Sequence, residues 1–218
     1  MKKLLITAGL CAANIVFAQT WDVTITNITK SQIFSPPIVV AHDGQSALFQ
    51  LGQPASTGLS TMAEDGDLSV LMTELNGNEK VGDVNAAGGM VMPGQSVTVQ
   101  INTSGNFNRI SVAGMLVSTN DAFFAVNSAV APTMFLKSAG ISQPISIMAL
   151  AYDAGSETNT EDCASIPGPP CGNPGVRDTS NAEGFVHIHS GIHGVGDVTE
   201  STYTWDGPVA LVEIKRAF

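Results

Sequence analysis

Trp21-Asp-Val-Thr-Ile-Thr-Asn-Ile-Thr29 decides the fold class. Trp21, Val23 and Ile25 alternate with polar neighbours, the period-two pattern of a strand with one face in a core and one in water. Comparable runs lie at 95–101, 109–117, 145–151, 184–189 and 208–215, each bounded by Gly, Pro, Asn or Asp, which supply turns. Short strands at intervals, without long helices between them, predict an all-β sandwich or barrel.

One segment departs from the pattern. Leu59, Met62, Ala63, Leu68, Leu71, Met72 and Leu75 fall at helical offsets, and Gly66-Asp67 interrupts them. Two short helices within residues 56–75 are expected, packed on the sheet or capping one end of it. Residues 76–94, rich in Gly and Asn, read as a surface connection. Residues 153–183 read as a second one, rich in Thr, Asn, Pro and Gly. Long loops of this kind usually bind something or are clamped.

The N-terminus reads as an export signal. Lys2 and Lys3 precede a mostly apolar run over residues 4–16, and Val16-Phe17-Ala18 forms a plain cleavage pattern, giving a signal over 1–18 and a single domain over 19–218. The run is too short for a permanent bilayer anchor. The chain is therefore expected to be secreted or periplasmic, and of bacterial type. Removing residues 1–18 takes away two lysines and no acids. It leaves 7 Lys+Arg against 19 Asp+Glu, a net charge near −12. Such a surface excludes nucleic acid and anionic lipid as unaided partners and suits divalent cations. No stable membrane insertion is expected. An outer-membrane barrel is set aside, because repeated ten-residue strands with aromatic girdles are missing.

Cys163-Ala-Ser-Ile-Pro-Gly-Pro-Pro-Cys171 contains the only cysteines beyond the signal. In an oxidising compartment they are read as a disulfide across a Pro/Gly-rich turn.

Phe34-Ser-Pro-Pro-Ile-Val39, Ser111-Val-Ala-Gly-Met-Leu-Val-Ser-Thr-Asn-Asp-Ala-Phe-Phe124 and Tyr152-Asp-Ala-Gly-Ser-Glu157 together resemble the spondin domain family of F-spondin and mindin. The likeness runs from about Trp21 to the C-terminus and is nearest to a single-domain bacterial branch. That branch shows a stretch similar to Gly184-Phe-Val-His-Ile-His-Ser-Gly-Ile-His-Gly194. The resemblance implies a C2-like sandwich with calcium (Ca2+) held by loops at one end. It places the ligands at Asp121, Asp153 and Glu157, with glutamate at the last where the animal proteins usually have aspartate. It also implies a recognition or adhesion role toward an unknown extracellular or cell-surface ligand. The residues agree on their own terms. Calcium takes six to eight hard oxygens, and Asp121 and Asp153 each follow a strand, so they can converge on one tip with Glu157 folding back across Gly155. The plain alternative is that these acids cap turns and face solvent.

His187, His189 and His193 gather three of the four histidines into seven residues. On a strand, His187 and His189 share a face, and Gly191 allows a turn that returns His193. The set suits a transition metal (Cu, Zn or Fe), and a metalloprotein, with or without catalysis, is the second reading. The alternative is that the rings bond backbone or loop acids such as Glu183 or Asp197. His42, beside Asp43 and Gly44, reads as a turn residue. No Gly-x-Ser-x-Gly elbow, free thiol or phosphate-binding loop appears, so no enzymatic activity is expected.

Overall fold

The computed structural model describes residues 18–132 and 143–217. The signal expected at 1–18 lies outside them apart from Ala18. Nine strands are described: β1 (Gln19–Asn27), β2 (Ile38–His42), β3 (Val81–Ala86), β4 (Ser96–Thr103), β5 (Arg109–Met115), β6 (Ala122–Val130), β7 (Ile145–Asp153), β8 (His187–Ile188) and β9 (Ala210–Arg216). Helices α1 (Thr57–Asp65), α2 (Ser69–Asn76) and the short α3 (Glu200–Tyr203) complete the elements, with one 3-10 turn at Cys163–Ser165.

The strand order is β3-β2-β5-β6-β7-β9-β1-β4, with β8 on β7, and every pairing is antiparallel. β7 joins the two halves of a sandwich. Its residues 145–149 pair with β9, and its residues 150–153 pair with β6. A strand that passes between layers in this way forms a corner of the sandwich. At the far edges, side chains bridge β3 to β4. Asp83 Oδ2 accepts from Asn102 N at 2.8 Å, and Asn85 Nδ2 donates to Gln100 O at 3.0 Å. The all-β class is what the strand pattern predicts, and the antiparallel sandwich is what the family resemblance implies.

Trp21, Val23 and Ile25 point inward and meet Ile101, Val112, Phe124, Val212 and Ile214 between the layers. Trp21 Nε1 donates to Thr103 Oγ1 at 2.8 Å, so burying the indole strands no donor. A second core forms on the other face of β2, β5 and β6, where Ile38, Val40, Met115 and Phe123 pack against Leu59, Met62, Leu71 and Leu75 of the helices. The two helices thus sit on the sheet. Ser56 Oγ accepts from Leu59 N at 3.1 Å to start α1, and Gly66, at φ +70°, ends it.

Three readings of the sequence need correction. Residues 76–94 are not merely a surface connection, because β3 lies within them and Val91 bridges Phe34. The run at 184–189 shortens to the two residues of β8. His42 is no turn residue. It ends β2 fully buried, bonded through Nε2 to Ser111 Oγ at 2.8 Å and through Nδ1 to Asp43 O at 2.7 Å. No helix among the described residues is long and apolar enough to cross a membrane.

Candidate metal centre

Antiparallel register brings the first two acids together. Asp153 ends β7 opposite Ala122, the first residue of β6, and Asp121 directly precedes that residue. Ala154 N donates to Asp121 O at 3.2 Å. The chain then turns at Gly155, whose φ of +66° suits glycine, and a Cβ there would collide with the Phe185 backbone. That turn aims two successive N–H groups back at Asp121: Ser156 N at 2.7 Å and Glu157 N at 3.0 Å both donate to Oδ2. Ser156 Oγ adds a third donor at 3.2 Å.

Asp121, Asp153 and Glu157 are all buried, none more than 1% exposed. Their oxygens differ in what surrounds them. Asp153 Oδ1 accepts from Gly155 N, and its Oδ2 accepts from Asn159 Nδ2, both at 2.7 Å. Asp121 Oδ1 and both carboxylate oxygens of Glu157 are buried without any hydrogen-bond partner. Burial, then the Asp153 charge, pushes the Asp121 carboxyl up to about 7. Burial, then repulsion from Glu64 and Asp121, pushes Glu157 up to about 8. An unpaired buried carboxylate is among the costliest groups a fold can carry, and either a proton or a cation relieves it.

Glu64, at the end of α1, sits at the same place. It is buried and paired with the guanidinium of Arg177, which also holds Asp65 Oδ2 at 2.6 Å. Glu64 is not among the acids that the sequence motifs mark. Its one signal there is an acid beside the core-facing Met62 and Ala63 of a helix.

The histidines lie on the other side of Asp153 in the chain's path. Glu161, at φ +56°, is buried and threads its carboxylate into the 190s loop, where Oε1 accepts from His193 N at 2.6 Å and Oε2 from Val195 N at 2.9 Å. All three imidazoles line one cavity of about 60 Å³ with Asp153, Asn159 and Glu161. Their free nitrogens are not equivalent. His193 Nε2 bonds Ser190 Oγ at 2.8 Å, and His189 Nδ1 accepts from Gly191 N at 3.0 Å. The His189 ring packs against Trp205, and burial, with repulsion from His187 and His193, pushes it down to about 4. His187 Nδ1 faces Ile188 O at 3.1 Å, while its Nε2 is buried without a partner, 3.6 Å from Asp153 Oδ1.

Among the described residues, the set of three ligand atoms within 4.8 Å of one another comes from Asp153, Glu183 and His187. In the sequence Glu183 stands out only as a loop acid within reach of the histidine rings. Asp121 feels the charge of Asp153, and Glu157 that of Glu64 and Asp121. Asp121, Asp153 and Glu157 nevertheless do not form such a set, and the compact set takes one histidine of the three. The Cys163–Cys171 disulfide is present. Between its cysteines, Ile166 packs on Ile192 and Val198, which ties the clamped turn to the histidine loop.

No curated protein sequence matches the chain. The model of the family Spondin_N, the spondin N-terminal domain, matches residues 14–165, which include Asp121, Asp153 and Glu157 and stop short of His187, His189 and His193. With well over half of its length matched, and with the sandwich that the family likeness implies, the chain belongs to the spondin N-terminal domain family.

Proposed function

We propose that this chain is an extracellular recognition or adhesion module whose loop end is ordered by calcium, with no catalytic step of its own. The observation that carries this reading is the trio of buried, unpartnered carboxylate oxygens on Asp121 and Glu157. Hard oxygens are what calcium takes, and the divalent charge would offset the repulsion among Asp121, Asp153 and Glu157. Asp121 and Glu157 supply the free oxygens. Asp153 keeps lone pairs beyond those used by Gly155 N and Asn159. Family membership supports the recognition role by analogy, and a disulfide fits a secreted or periplasmic setting. In this reading the ion fixes the loop after β7, and the fixed loop presents a surface to an extracellular or cell-surface ligand.

Calorimetric titration of metal-stripped protein with calcium tests the site. One equivalent bound by the wild type and none by Asp121→Ala is the expected result. Absence of binding at millimolar calcium removes the proposal.

A further inference from the structure

We propose that Asp153, Glu183 and His187 form a second cation site, for a borderline divalent metal of the Zn2+ class. The ligands would be His187 Nε2 and one oxygen from each acid. This site is argued without the calcium reading, shares only Asp153 with it, and lies partly beyond the residues that the family model matches.

The imidazole is already set for metal. A carbonyl can only accept, so the contact with Ile188 O places the His187 proton on Nδ1 and leaves a lone pair on Nε2. Metal-binding histidines are commonly oriented by such a bond from their other nitrogen. Nε2 is buried, has no hydrogen-bond partner, and faces Asp153 Oδ1 at 3.6 Å. Two acceptors opposed in this way repel unless a proton or a metal cation lies between them. The spacing suits one. Metal–ligand bonds of about 2.0–2.1 Å in a tetrahedron put the ligand atoms roughly 3.3–3.4 Å apart.

The surroundings of the acids are equally organised. Asn159 Nδ2 donates to Asp153 Oδ2 at 2.7 Å and to Glu183 Oε1 at 3.2 Å, so one amide steadies both carboxylates. The adjoining cavity of about 60 Å³ has room for the waters that complete the coordination. The other two histidines are otherwise engaged. Because His189 Nδ1 accepts from Gly191 N, the neutral ring carries its proton on Nε2, the nitrogen turned toward Asp153 Oδ2 at 3.9 Å. His193 Nε2 is held by Ser190 Oγ. The cluster that reads in sequence as three imidazoles therefore offers one imidazole and two carboxylates. An imidazole nitrogen favours Zn2+ and its neighbours in the transition series over calcium, which prefers oxygen throughout.

The test is zinc binding by untagged, metal-stripped protein held in saturating calcium, read by equilibrium dialysis with elemental analysis. One zinc per chain is expected, weakened at least tenfold in both His187→Gln and Glu183→Gln. Glu183 is exposed and His187 partly so, and neither substitution opens a core. Cobalt(II) titration gives a second readout, because the visible bands of the nitrogen-bearing site disappear in His187→Gln. Zinc retained unchanged by His187→Gln overturns the proposal, as does no stoichiometric zinc, or displacement of zinc one for one by calcium. Asp121→Ala separates the two sites: it removes calcium and keeps zinc. Zinc binding by a protein that binds no calcium would leave this inference standing and remove the calcium reading alone.

Discussion

The backbone N–H of Glu157 donates to Asp121 Oδ2 at 3.0 Å, so an acid at the start of β6 holds in place the loop that leaves β7. With Ser156 contributing two more donors, that single oxygen organises the turn that carries Glu157. The other oxygen of Asp121 is left with nothing. One carboxylate thus fixes backbone with one oxygen and leaves the other buried and unpaired.

Calcium should therefore raise the melting temperature. A ligand that binds only the folded state at 100 times its dissociation constant contributes about 2.7 kcal/mol. For a domain of this size that corresponds to about 5–10 °C. Differential scanning fluorimetry with calcium and with chelator measures it, and Asp121→Ala should show no difference between the two conditions.

The metal-free protein should lose stability as pH rises from about 4 to 8. The free acids titrate near 4 in the unfolded chain, whereas Asp121 and Glu157 are raised to about 7 and about 8 in the fold. The folded state then binds more protons than the unfolded state throughout that window, and stability falls with pH. Calcium should flatten the slope. In Asp121→Asn the buried charge is gone, so its metal-free melting temperature at pH 8 should equal or exceed the wild-type value. A steeper fall in the variant would contradict the assignment.

The sequence shows the sandwich where one face of a strand meets water. β1 alternates because Trp21, Val23 and Ile25 face the core while Thr24 and Thr26 pair with Thr98 and Ser96 outside it. β2 escapes that reading because all five of its residues are buried, the sandwich core covering one face and the helices the other. A continuous apolar run has no period to detect. The site divides in the same way. Asp121, Asp153 and Glu157 stand beside strand ends that can be read, and the family motifs mark them. Nothing local announces Glu161 or Asn159, whose roles come from where a long loop returns. Nor can three histidines in a row of seven reveal which nitrogens the backbone has already taken.

Gly155→Ala should weaken the calcium site more than its single methyl suggests. The residue needs φ +66°, and its Cβ would meet the Phe185 backbone. Strain of this kind costs about 1–3 kcal/mol. Relief requires the 155–157 turn to move away from Asp121 Oδ2, which carries the Glu157 oxygens with it. Chemical denaturation should show the stability loss, and calorimetry should show weaker calcium binding. Stability loss with unchanged affinity would mean that Glu157 does not ligate.

Removing the disulfide tests whether the clamped turn supports the histidine loop. Cys163 and Cys171 close a ring with a sequence separation of 8, for which chain entropy gives about 2–3 kcal/mol. The ring does more than shorten the unfolded chain. It holds Ile166 against Ile192 and Val198, a small cluster apart from the two main cores. Its backbone is also anchored outside the ring, where Cys163 N donates to Asp197 Oδ2 at 2.9 Å and Gly168 N donates to Val117 O at 2.8 Å. A Cys163→Ser/Cys171→Ser double variant should therefore lose stability by that amount in urea unfolding. It should also show faster amide exchange at Ile192, His193 and Val195, while β1 and β9 stay protected. Uniform loss of protection across both regions would show that the loop unfolds only with the sandwich. Selective loss would show that the small cluster opens by itself, and that the disulfide keeps Glu161 and the histidines in register.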